Sequence, residues 1–160
     1  MVQLKIFPVY CIDASSLFDL KRWYPMDRKI FAPIWIKINN LIKKDLLISH
    51  VEVQREIRRG RDELVKWATK NRSMFKNIDE EQLRIYAKVK KKYDKDYWDR
   101  ETSKSVPWGD PWIITLAIST KATIVTNENK VKPNRIPFVA KQFGVHSLNL
   151  LEFFKEISIK

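Results

Sequence analysis

Only three glycines interrupt these 160 residues, and they stand far apart. A loop that cradles phosphate needs several at fixed spacing, so neither a P-loop nor a dinucleotide fingerprint is present. Cysteine is scarcer still. Cys11, alone in the chain, excludes an internal disulfide framework and fits a reducing compartment. Set in a β-prone run, it reads as a small core residue rather than a reactive thiol. One cysteine and two histidines are too few for a structural zinc site. No Gly-x-Ser-x-Gly elbow occurs, and Asp13-Ala-Ser15 lacks the second aspartate of a haloacid-dehalogenase phosphatase. Apolar runs fall short of the ~20 residues of a spanning helix, and Asp13 interrupts the first before it reaches signal-peptide length. The expectation is a soluble cytoplasmic protein with no membrane partner.

Acid is also in short supply. The chain has 31 Lys and Arg against 19 Asp and Glu, a formal charge of +12, which favours a polyanionic partner. At 44% hydrophobic residues it has enough apolar material for one core, and residues 1–160 read as a single domain.

Val9 to Ile12 reads as a buried strand, with Ser15 and Ser16 opening a helix that Pro25 ends. A helix over Ile30 to Lys43 and a strand at Leu46 to Ile48 follow. Ser49 and Glu52 have capping-box spacing, which predicts a helix starting at Ser49 and ending or bending at Arg58-Arg-Gly60. The helical pattern resumes over Asp62 to Lys70. A second box at Asp79 and Gln82 predicts one helix through Tyr86, Val89, Tyr93 and Tyr97. Asp110-Pro111 opens a largely buried helix, with the aspartate as its cap. Ala122 to Thr126 and Val145 to Leu148 are further strands, and Asn149 with Glu152 caps a last helix. Alternating strands and helices predict an α/β fold of three layers, α/β/α, around a mainly parallel sheet of about four to five strands.

Four acids stand at junctions of this pattern. Asp13 ends the first strand, Glu56 lies on the helix after the second, Asp110 opens a helix, and Glu128 follows the next strand. Parallel sheets carry their sites beyond the carboxyl ends of the strands, so one crevice can receive all four. Carboxylates gathered there repel one another unless a cation neutralises them. Setting them aside leaves 31 basic against 15 acidic residues, or +16: an acidic hole in a basic surface. Each acid also has an ordinary reading, as a helix cap for Asp13 and Asp110, a solvated helix charge for Glu56 and a loop acid for Glu128.

In order, these segments resemble the PIN-domain nucleases, which include the VapC-type toxins, and most closely a PIN-like branch with a tryptophan-rich middle. The resemblance is carried by Tyr10-Cys-Ile-Asp-Ala-Ser15, by Ile48 to Ile57 with Leu64 and Trp67, and by Gly109-Asp-Pro-Trp-Ile-Ile-Thr-Leu-Ala117. Ile124-Val-Thr-Asn-Glu128, Ile136-Pro137, Gly144-Val145 and the closing Leu-Leu-Glu-Phe-Phe continue it. The family commonly has Asp where this chain has Glu128, and Ala where it has Gly109.

The resemblance implies a metal-dependent endoribonuclease hydrolysing RNA phosphodiesters, the toxin of a toxin–antitoxin pair, with one or two Mg²⁺ or Mn²⁺ ions on Asp13, Glu56, Asp110 and Glu128. Ser15 and Thr126 would orient carboxylates or water. A homodimer and a cognate antitoxin are the implied partners. The basic runs put Arg22, Arg58, Arg61, Lys90, Lys91 and Lys92 forward for RNA phosphates, and Trp23, Tyr24 and Trp108 for base stacking. The rival reading is a degenerate PIN-like module that binds RNA or protein without cutting.

Overall fold

A computed structural model describes residues 7–159. Five short strands form one parallel sheet: β1 (Tyr10–Ile12), β2 (Leu47–His50), β3 (Phe75–Lys76), β4 (Thr123–Val125) and β5 (Ser147–Leu148), in the order β3-β2-β1-β4-β5. Cys11 stands opposite Ile48 on one side and Ile124 on the other. Every residue of β1 and β2 is buried, as expected of parallel strands covered on both faces.

The helices are α1 (Ala14–Trp23), α2 (Ala32–Lys43), α3 (Val51–Arg58), α4 (Glu63–Lys70), α5 (Glu80–Lys90), α6 (Lys95–Ser103), α7 (Asp110–Thr120), α8 (Ile136–Lys141) and α9 (Leu150–Glu156). Among the described residues no helix is long and apolar enough to cross a membrane. From Ile113 to Ala117 every residue of α7 is buried. A helix apolar all round belongs inside, and α7 lies across β1, β2 and β4 with α5 and α8 packed on it.

The topology positions the site. From β1 the chain winds through α1 and α2 to β2, then through α3 and α4 to β3 at one edge. It returns through α5, α6 and α7 to β4, on the other side of β1, and continues through α8 to β5. Right-handed crossovers in opposite directions put the two sets of helices on opposite faces, giving the three layers. β1 and β4 are thus neighbours whose chains depart in opposite directions. A crevice opens beyond the carboxyl ends of such a pair.

The structure corrects several local expectations. Ser49 is not a helix cap: it ends its days inside β2, fully buried, and its hydroxyl donates to the Ile12 carbonyl at 2.6 Å. The helix instead starts at Val51 under His50, whose Nδ1 accepts the Glu52 N–H at 3.1 Å. Glu52 pairs with Arg55 rather than closing a box. Asp79 does cap α5 through the Gln82 N–H, but the Gln82 amide turns to the Asn77 carbonyl and to His50. The long helix expected through Tyr97 is two, broken between Lys90 and Lys95. The capping box of Asn149 and Glu152 is present as expected.

Candidate functional site

Asp13 follows β1 and caps α1, its Oδ1 accepting the Ser16 N–H at 2.9 Å. Its Oδ2 accepts two hydroxyls, Ser15 at 2.8 Å and Thr126 at 2.7 Å. Thr126 comes directly after β4 and also accepts the Glu128 N–H on its Oγ1 at 3.1 Å. One hydroxyl therefore joins the first acid to the loop of the last. Ser15 and Thr126 thus both bond the same oxygen of Asp13.

Glu56, two residues from the end of α3, reaches across to α7: its Oε1 accepts the Gly109 N–H at 2.5 Å. Glu128 Oε2 accepts the Ile136 N–H at 2.8 Å, at the start of α8. Asp110 departs from expectation. It begins α7 but makes no capping bond; the capping position falls to Gly109, which has no side chain to offer. The Asp110 carboxyl is buried, with the Glu128 charge the strongest of the acidic influences on it.

All four acids feel one another. Burial, then the Glu128 charge, pushes Asp13 up to about 6 against the opposing bonds from Thr126, Ser16 and Ser15. Burial raises Glu56 to about 7, with Asp13, Glu52 and Glu128 adding to the rise and the Gly109 N–H opposing it. Asp110 is held well above the ordinary carboxylate range by burial, then by Glu128, Asp13 and Glu56. Among the described residues, the lysines and arginines that form ion pairs choose Asp62, Glu52, Asp45, Glu101 and Glu152, and none serves this cluster.

An all-carboxylate donor set with its charges uncompensated suits a hard divalent cation. It is not a finished cage. Among the described residues no three His, Cys, Asp or Glu side chains are already drawn into a coordinating group. Backbone and hydroxyl donors hold at least one oxygen of Asp13, Glu56 and Glu128, which leaves Glu56 Oε2 and Glu128 Oε1 without a protein donor.

Gly109 has a packing reason here. A Cβ on it would lie 3.0 Å from Val53 Cγ2 and 3.3 Å from Glu56 Oε1. Gly109→Ala is expected to lower stability by about 1 kcal/mol through this crowding and to displace Glu56. Chemical denaturation against wild type measures it, and an unchanged midpoint would show that α3 yields freely.

The basic candidates scatter. Arg22 lies in the last turn of α1, about 13 Å of helix rise from Asp13. Arg58 and Arg61 are exposed at and beyond the end of α3. Lys90, Lys91 and Lys92 are exposed at the end of α5. Of the stacking candidates only Trp23 is open, at 64% exposure. Tyr24 packs edge-on to Phe31 and Phe154, and Trp108 packs on Tyr93 and Trp98.

Tyr93 was not among the expected site residues. It is buried, its hydroxyl has no hydrogen-bond partner, and the charges of Asp110 and Glu128 help hold that phenol well above its ordinary pKa, after burial itself. Helical spacing with Tyr86 and Tyr97 hid it, because spacing cannot mark a residue in the turn between two helices.

Residues 10–160 match the model of a family described as a domain of unknown function, DUF4411. No curated protein matches the chain. Among solved structures, the crystal structure of PAE2754 from Pyrobaculum aerophilum is similar at 15% identity and a TM-score of 0.45, over 96% of this chain and 98% of that one.

Proposed function

The chain belongs to the DUF4411 family, and we propose that it is a divalent-cation-dependent ribonuclease of PIN-like type, the toxin of a toxin–antitoxin pair. One observation carries the reading: four mutually repelling carboxylates meet at the switch point of a parallel sheet, without a basic partner among the described residues, in a chain of net charge +12. Asp13, Asp110, Glu128 and Glu56 would hold Mg²⁺ or Mn²⁺, which when bound activates water and stabilises the leaving oxygen of a phosphodiester.

The chain's own residues have separable duties. Ser15, Ser16 and Thr126 fix the Asp13 carboxylate in one orientation from three sides. Thr126 also sets the backbone at Glu128, so the two acids cannot drift independently. Glu56 has Oε1 engaged by Gly109 and a pKa near 7, which leaves Oε2 suited to accept a proton from water around neutral pH. Asp110, buried and next to the Glu128, Asp13 and Glu56 charges, holds its proton well above the ordinary carboxylate range and must lose it to act as an anion.

A second reading, binding without cleavage, draws support from the absence of a preformed three-ligand group among the described residues. A single assay separates the two. The purified chain is expected to degrade single-stranded RNA with Mn²⁺ or Mg²⁺ and to stop in chelator. RNA retained intact under every cation would leave the binding module.

A further inference from the structure

We infer that the cleft between α5 and α6, about 590 Å³, is a phosphate-backbone subsite for a single-stranded nucleic acid whose scissile bond lies at the four acids. Lys90, Lys91 and Lys95 line it with a single acid, Asp99. None of those lysines is in an ion pair among the described residues. The Lys90 ammonium lies 5.5 Å from the centre of the Trp98 ring, which holds it at the cleft wall.

The floor decides what is read. Trp98 and Tyr93 line the cleft, yet each is only 6% exposed. Rings so covered offer no open face on which a base can stack, so the cleft recognises charge and is indifferent to sequence.

Tyr93 ties the cleft to the acids. It lines the basic cleft, while its buried, unpartnered hydroxyl feels the charges of Asp110 and Glu128. A ligand that occupies both places needs anionic groups spaced along a chain and a bond for the acids to act on. A nucleic acid has both; an acidic peptide has only the first. Asp13 is 1% exposed, so the bond must bend inward, which a single strand does more readily than a duplex. This inference rests on the nuclease reading.

The test is fluorescence anisotropy of the full chain in chelator, where no cleavage occurs, with labelled oligouridylates of about 2 and about 12 nucleotides. The cleft variant is Lys90→Gln/Lys91→Gln/Lys95→Gln. The control is Lys43→Gln/Lys44→Gln/Lys121→Gln, which removes equal charge where the chain enters β2 and β4, at the opposite end of the sheet. The cleft variant is expected to bind the longer strand about tenfold more weakly, with a salt slope smaller by about 2, as three lost phosphate contacts on a single strand require. On the dinucleotide the two variants should agree. Equal weakening by the control would overturn the subsite, as would a polyglutamate peptide that binds equally well through the same lysines. Because binding is read without turnover, a failed cleavage assay and a failed cleft remain distinguishable.

Discussion

Asp110→Asn is expected to raise the melting temperature of the metal-free chain while abolishing cation-dependent RNA cleavage. Most buried polar substitutions destabilise, so the sign is diagnostic. Asp110 has burial and three like-charged neighbours against it, and it makes no capping bond that the mutation would remove. Asparagine is nearly isosteric, carries no charge, and its amide can donate to Glu128. Relief on the order of 2 kcal/mol corresponds to roughly 4–8 °C for a domain of this size. The gain should be present at pH 7.5 and shrink as pH falls, vanishing only well below the ordinary aspartate value of 3.8, where the carboxyl is protonated in folded and unfolded chains alike. Mn²⁺ should raise the melting temperature of the wild type and barely move that of the variant. A variant that melts lower than wild type and still responds fully to Mn²⁺ would remove Asp110 from the site.

Without cation, stability should fall as pH rises from about 4 to about 8. Asp13 moves from an ordinary 3.8 to about 6, and Glu56 from 4.5 to about 7. In that window the folded chain binds more protons than the unfolded chain, so each rise in pH favours unfolding. The contribution of each group is complete below its ordinary value and lost as pH climbs through its folded one. For Asp13 the loss is on the order of 3 kcal/mol; for the partly exposed Glu56 it is smaller than its shift suggests. His50 works against the trend. Burial lowers its pKa by penalising the charged imidazolium, and the Arg55 charge adds to this against the Gln82 bond and Asp79, so its contribution is present above about 6.5 and lost as pH falls. The signature is therefore a maximum on the acid side of neutrality in chelator. With Mn²⁺ it should shift toward alkaline pH, since the cation needs deprotonated ligands. Urea midpoints from pH 5 to 8, with and without Mn²⁺, measure both curves. Superimposable curves would mean that the carboxylates hold no ion.

Particular residues show what was legible in the amino-acid order. Asp13 and Glu128 stood out because β-branched runs lead up to them, and the sheet places them where those runs end. Asp110 was found through Pro111, although the proline signals the helix start and not the acids that surround the carboxylate, Glu128, Asp13 and Glu56, which come from distant parts of the chain. Ser49 misled because capping-box spacing is a local signal, and a long-range bond to Ile12 outweighed it. β3 escaped notice because two residues are too few for a period, and its pairing with β2 makes it a strand. The break between α5 and α6 has neither glycine nor proline to mark it.

The hydroxyl of Thr126 bonds to an acid 113 positions earlier in the chain. This has a consequence for synthesis. A ribosome delivers Asp13 and Glu56 early, but the crevice has no second wall until β4 and the loop after it have emerged. Nascent chains and products of premature termination before that point therefore lack the complete constellation. The four acids cannot assemble before that loop has emerged, and the order of the strands alone imposes that delay.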